Sequence, residues 1–271
     1  MKTDLDERRW QQYARSGYRK VPGWLSALAA LEFAQLMLQQ HRLGIEGPVC
    51  EVGAHLGRTF ILLHLLTRAT ETSAAFDLYE LHDPAAGAER KRRLLGYLAR
   101  HGGDERRIAL VTCDSRNLTP AKVRASCQGS PRLFSIDAGR TAAAVESDLR
   151  LAAHSVCAGG LVCITDYFQE GWPEVSEGAC RFMNTSGELT PVAIGGNKFF
   201  FTTSAEYAAS YQAGLTAAFA NQARTAVIFG APVVLIKAAT LRTRMARTRI
   251  WRALRHTALA QRLRLLGVRG R

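Results

Sequence analysis

Four acidic residues stand at the ends of short apolar runs. Asp77 closes Ala74–Leu78, Asp114 follows Thr112-Cys113, Asp137 follows Ser135-Ile136, and Asp166 follows Ile164-Thr165. At the carboxyl ends of parallel strands, such residues face the crevice where open α/β sheets take ligands. One acid there means little, but four line one crevice with carboxylates. A carboxylate can act as a general base. It can also hold Mg²⁺, with water and substrate completing the shell.

A second constellation is Glu51-Val52-Gly53-Ala54-His55-Leu56-Gly57-Arg58-Thr59, which follows the first apolar run and opens a helix. Gly53 permits a tight turn and a close ligand approach, and Gly57 lets the helix pack near the sheet. The helix start presents unpaired N–H groups. The dinucleotide fingerprint is incomplete, because Ala54 and His55 stand where a second glycine belongs. A plain strand-to-helix turn is the alternative reading. Asp77 lies 24 residues after Gly53, near the spacing at which an acid accepts hydrogen bonds from ribose hydroxyls. Glu80 is the reserve candidate, and a solvated strand-end acid is the competing reading.

The elements that would place these groups alternate regularly. Apolar runs at Val49–Val52, Ala74–Leu78, Ile108–Thr112, Leu133–Ile136 and Leu161–Ile164 read as strands buried on both faces. Helices are expected at 24–41, 57–68, 88–101, 119–127 and 141–157. This alternation predicts an α/β fold with a parallel sheet covered on both faces. Pro191–Ile194 and Lys198–Thr202 are separated only by Gly195-Gly196-Asn197, a hairpin spacing, so the sheet is expected to end on an antiparallel strand.

The chain of 271 residues carries a net charge of +13, but unevenly. After Glu206 there is no acid and there are twelve Lys and Arg, whereas residues 1–206 sum to +1. Inference about acidic partners therefore belongs to the tail. Hydrophobic residues make up 47% and charged residues 22%, which excludes wholesale disorder and a polytopic membrane protein. The apolar run Ala226–Ile236 is interrupted by Pro232 and falls short of the ~20 residues of a membrane span. Met1–Trp10 is rich in charge and shows no apolar signal core, so a cytoplasmic location is expected. The six cysteines contain no Cys-x-x-Cys pair. They read as reduced thiols, with Cys50, Cys113 and Cys163 in buried strands, and not as a zinc site.

With these residues assembled, the chain resembles class I S-adenosylmethionine-dependent methyltransferases. More narrowly, it resembles small O-methyltransferases related to macrocin O-methyltransferase. The likeness rests on Glu51–Gly57, Ser135-Ile136-Asp137-Ala138-Gly139, and the helix through Val145, Asp148 and Leu149. Gly159-Gly160-Leu161, Thr165-Asp166-Tyr167, Trp172-Pro173-Glu174-Val175 and Gly196–Phe200 complete it. It covers roughly residues 24–203. The resemblance implies a Rossmann-like methyltransferase sheet, mostly parallel with an antiparallel last strand. It implies S-adenosylmethionine as cofactor and O-methylation of a small hydroxylated acceptor, a sugar or a secondary metabolite. Glu51, Gly53 and Gly57 would surround the methionine part, Asp77 would bind the ribose, and Asp114 and Ser115 would flank the adenine. Asp137 and Asp166 would face the acceptor, as base or as Mg²⁺ ligands.

Three positions depart from the family pattern. Thr165 replaces the first of two adjacent acids, Arg140 stands where a His is common, and Ala142 replaces an aromatic residue. Arg140 could bind an anionic acceptor or pair with Asp137. His55 is a further candidate base or a loop hydrogen-bonding group. The alternative function is a non-catalytic cofactor-binding or interaction module. The domain reading is a lid segment at 1–23, with Trp10, Tyr13, Tyr18 and the adjoining Trp24 as lid aromatics, a methyltransferase domain at 24–205, and a basic helical extension at 206–271. The extension's mixture of Arg, Trp and Leu suits an anionic membrane surface; no RNA-binding motif supports nucleic acid as partner.

Overall fold

The computed structural model describes residues 6–238. Its sheet has nine strands in the order β3-β2-β1-β4-β5-β7-β6-β9-β8. Five neighbouring strands pair in parallel: β1 (Val49–Val52), β2 (Ser73–Asp77), β3 (Ile108–Thr112), β4 (Leu133–Ile136) and β5 (Leu161–Thr165). Helices α3 (Arg58–Leu65), α4 (Pro84–Arg100), α5 (Pro120–Cys127) and α6 (Ala142–Ala153) connect them. The chain starts with α1 (Glu7–Arg15) and α2 (Ala27–Arg42), and α7 (Pro173–Thr185) follows β5. The hairpin of β6 (Thr190–Gly195) and β7 (Lys198–Thr202) places β7 antiparallel beside β5.

Local chemistry sets the helix starts. Ser26, Thr119, Thr141 and Ser204 accept a backbone N–H of the following turn through their side chains, satisfying donors the helix leaves free. Pro84, Pro120 and Pro173 occupy the first helical turn, where no intrahelical bond is lost. Strands β1, β4 and β5 are buried throughout, as continuous apolar runs require. One core layer packs α1, α2, α3 and α8 (Ala205–Ala218) on one face of the sheet, with Phe33 edge-on to Phe200 at 5.2 Å. A second, with Phe134, Leu149 and Phe182, covers the other face.

The sheet does not end at the β6–β7 hairpin. Residues 206–236, read from sequence as part of a helical extension, contain α8 and a second hairpin, β8 (Ala223–Ile228) and β9 (Ala231–Ile236). Strand β9 pairs with β6, so one compact unit runs to Ile236 and the boundary at 205 is corrected. The turn is Phe229-Gly230, both at positive φ, the backbone of a tight two-residue hairpin loop. Pro232 does not prevent pairing, because β9 meets β6 only from Val234 onward. Ten of the twelve tail cations lie beyond residue 238, so the proposed membrane-facing extension falls outside the described residues. No helix among the described residues is long and apolar enough to cross a membrane. All six cysteines are free; Cys113 lies just past β3 and is only half-buried, unlike Cys50 and Cys163.

Of the aromatic residues in the N-terminal segment, Trp10, Tyr13 and Tyr18 are buried. The Tyr13 hydroxyl donates to the Arg58 carbonyl at 2.7 Å and Arg58 Nε donates to the Val21 carbonyl, which ties this segment to the start of α3. Trp24 stays 79% exposed.

Candidate active site

A cavity of about 530 Å³ opens at the carboxyl ends of β1–β4. Glu51, Gly53, Asp77, Asp114, Ser115 and Asp137 all line it. Gly57 does not: it caps α3 at φ +85, and a Cβ there would press on Leu94. Asp166 lines an adjoining small depression shared with Asp137 and Arg140. Trp24 stands at the cavity with its ring 6.4 Å from that of His55.

The loop after β1 is tightly built. Gly53 has φ +85, and a Cβ on it would collide with the Asp137 carbonyl. Asp77 Oδ2 accepts the His55 backbone N–H at 2.7 Å, so the acid on β2 holds the loop after β1. Asp114 accepts the Arg116 backbone N–H at 3.0 Å and pairs with its guanidinium. These bonds from Arg116 hold the Asp114 carboxyl below the usual range.

Glu51 is 1% exposed. Its Oε1 accepts from the Ser135 hydroxyl at 3.1 Å, while Oε2 has no partner. Burial, assisted by the charge of Asp137, pushes its carboxyl up to about 8, against the pull of Lys198 and Ser135. A buried polar oxygen without a partner is costly unless a ligand donor reaches it.

The acceptor side is a charge network. Arg140 Nε donates to Asp166 Oδ2 at 3.0 Å, and its Nη2 stands 3.6 Å from Asp137 Oδ1. Asn197 Nδ2 donates to the other Asp166 oxygen. Lys198, 2% exposed, lies opposite Thr165 in the β5–β7 register. Its Nζ donates to the Thr165 hydroxyl and stands 3.8 Å from Asp137 Oδ2. Thr165 in turn donates to Asp137. Burial raises the Asp137 carboxyl, Lys198 pulls it back, Asp166 raises it again, and Arg140 lowers it, with a net upward shift. Behind Lys198, Glu32 is buried with neither oxygen hydrogen-bonded, and burial holds its carboxyl well above the usual range.

Sequence reasoning missed Glu32, Asn197 and Lys198 as members of this site. The available signals were an isolated Lys opening an apolar strand and an isolated Glu within the apolar side of α2. Among the described residues, no group of three or more His, Cys, Asp and Glu stands together to hold a metal ion.

No protein-family model matches the sequence, and neither does any curated protein. Solved structures share the fold. An O-methyltransferase from Bacillus cereus in complex with SAH is 13% identical, over 73% of this chain and 92% of that chain, with a TM-score of 0.52. The O-methyltransferase TomG from Streptomyces achromogenes, involved in tomaymycin synthesis and solved with SAM, is 14% identical, over 73% and 91%, with a TM-score of 0.52. The O-methyltransferase NovP is 13% identical, over 64% and 78%, with a TM-score of 0.51. The chain therefore has the Rossmann-like fold of these O-methyltransferases, extended by the β8–β9 hairpin.

Proposed function

We propose that the chain is an S-adenosylmethionine-dependent O-methyltransferase acting on a small hydroxylated acceptor, a sugar or a secondary metabolite. The observation that carries this reading is the cavity at the tips of β1–β4, whose lining includes Glu51, a buried carboxyl with one unpartnered oxygen. The acceptor set suits the cofactor: carboxylates for an ammonium group and ribose hydroxyls, and a glycine loop that leaves room for close approach.

When bound, the cofactor supplies a methyl group on a sulfonium centre, open to in-line attack by oxygen. The chain binds and orients. Glu51, beside Gly53, would receive the methionyl ammonium group. Asp77 would accept from ribose hydroxyls while its other bond fixes the His55 loop. Asp114 and Ser115 would flank the adenine. Asp137 lies on the boundary between the cavity and the acceptor depression. Its raised proton affinity suits a base that takes the acceptor's hydroxyl proton at Oδ1.

Calorimetric titration with S-adenosylmethionine and S-adenosylhomocysteine tests this. The expected outcome is micromolar binding of both. Asp77→Ala should weaken it about 10- to 100-fold, since a hydrogen bond to a charged group is worth ~1.5–3 kcal/mol. Unchanged affinity removes the Asp77 role, and no binding by the folded chain overturns the reading. One observation favours the second reading, a cofactor-binding module without turnover: Arg140 already engages both acceptor-side carboxylates. That reading predicts the same titration but no methyl transfer to any hydroxylated acceptor.

A further inference from the structure

The two carboxylates placed to hold a divalent cation already have partners. Asp166 is hydrogen-bonded on both oxygens, by Arg140 and Asn197, and Asp137 faces Arg140 on one oxygen and Lys198 on the other. Two carboxylates thus meet two cations, and no negative charge is left over. Mg²⁺ demands a near-octahedral shell of oxygens at ~2.0–2.1 Å. To reach it here, the ion would have to displace the guanidinium or sit beside it, at a like-charge cost that grows as water is excluded. The residues present do not fit Mg²⁺.

Arg140 is also held in place from several sides. Its guanidinium carbon lies 4.8 Å from the centre of the Trp172 ring, a cation–π contact. Asp166, which receives Nε, sits at φ +66 and donates its own N–H to the Asn197 carbonyl at 3.0 Å. The guanidinium is planar and carries five N–H donors. Nε serves Asp166 and Nη2 faces Asp137, while Nη1 makes no hydrogen bond among the described residues. The side chain is 35% exposed and lines both the cavity and the depression.

We propose that Arg140 is the resident cation of the acceptor half of the site. It occupies the place of a divalent metal, balances Asp137 and Asp166, and offers its remaining donors to an oxygen of the acceptor. The site then takes its acceptor without Mg²⁺. The acceptor clause rests on the methyltransferase reading; the exclusion of the metal does not.

The test uses the full chain and Mn²⁺ as a paramagnetic stand-in for Mg²⁺. Electron paramagnetic resonance follows the free Mn²⁺ signal without other ligands. The wild-type chain should leave it undiminished. Arg140→Gln, which removes the charge but keeps a long polar side chain, should free the carboxylates and bind Mn²⁺ at least about tenfold tighter, or ~1.4 kcal/mol. Arg140→Lys should behave like the wild type. Thermal melts by circular dichroism check that all three chains are folded. One-to-one Mn²⁺ binding by the wild type that Asp166→Ala abolishes would overturn the proposal. So would an Arg140→Gln chain that gains no affinity. A parallel titration with S-adenosylhomocysteine separates the two ideas: its failure removes the methyltransferase reading and leaves the Mn²⁺ contrast to judge Arg140 alone.

Discussion

At the tips of β1, β2 and β3, Glu51 and Asp77 are served by neutral donors and Asp114 by an exposed arginine. Ser135 on the adjacent strand serves Glu51, the His55 N–H serves Asp77, and Arg116 serves Asp114. At the tips of β4, β5 and β7 the acids are served by two cations, Arg140, three residues beyond Asp137, and Lys198 from β7. The first half is left with an open cavity and a bare Glu51 oxygen. The second is closed on itself by opposite charges. A half that keeps polar capacity in reserve is prepared for a ligand rich in donors. A half that has neutralised its own charges admits only a ligand that displaces or joins an existing pair. Both use acids at strand ends, and the partners make the difference.

Removing the cation behind the second half should have the largest effect. Lys198→Met would leave Asp137 without its buried counter-charge, and breaking such a pair typically costs ~3–5 kcal/mol. A loss of about 3 kcal/mol is expected in urea unfolding at neutral pH. Without Lys198 the Asp137 carboxyl rises further, so the variant gains more stability than the wild type as pH falls. In the wild type, acid removes the same interaction by protonating Asp137. The stability gap should therefore narrow as pH falls; a gap independent of pH would show that Lys198 acts through packing alone. A smaller effect is expected where the halves touch. Gly53→Ala puts a Cβ into the Asp137 carbonyl at a backbone angle that favours glycine. It should cost about 2 kcal/mol and remove detectable S-adenosylhomocysteine binding in calorimetry. Wild-type affinity would mean that the two loops move independently.

The same contrast governs what could be read in the sequence. The acids of the first half lie at the ends of single apolar runs, so counting along the chain was enough to find Asp77 and Asp114. The network of the second half is made between residues 137, 140, 166, 197 and 198, and only the β5–β7 register brings Lys198 opposite Thr165. Thr165, which in the sequence looked like the loss of an acid, links Lys198 to Asp137. The β8–β9 hairpin escaped for a different reason. Tight turns of this kind are usually announced by Asn-Gly or Asp-Gly, whereas here Phe229 takes the first position. Its ring stacks parallel to Phe199 at 6.3 Å, a contact made across the sheet and invisible along the chain.

The bare oxygen of Glu51 gives the mildest prediction and the one that best sharpens the contrast. Its carboxyl is raised to about 8 by burial and by Asp137. In the free chain it is therefore mostly protonated at pH 6–7. The folded state loses stability from this group as pH rises from the ordinary Glu range through 8, because the unfolded carboxyl has already ionised. A cationic ligand reverses the preference: it favours the charged carboxylate, lowers its pKa in the complex, and releases up to one proton on binding. Affinity for S-adenosylhomocysteine, whose methionyl ammonium group is the proposed partner, should rise with pH between about 6 and 8 and then level off. The slope can reach at most about tenfold per pH unit. Calorimetry at one pH in two buffers of different ionisation enthalpy counts the released protons directly. Glu51→Gln, neutral at every pH, should bind more weakly and release none. Equal proton release from both chains would assign the titration to another group and leave the first half no better prepared for a cation than the second.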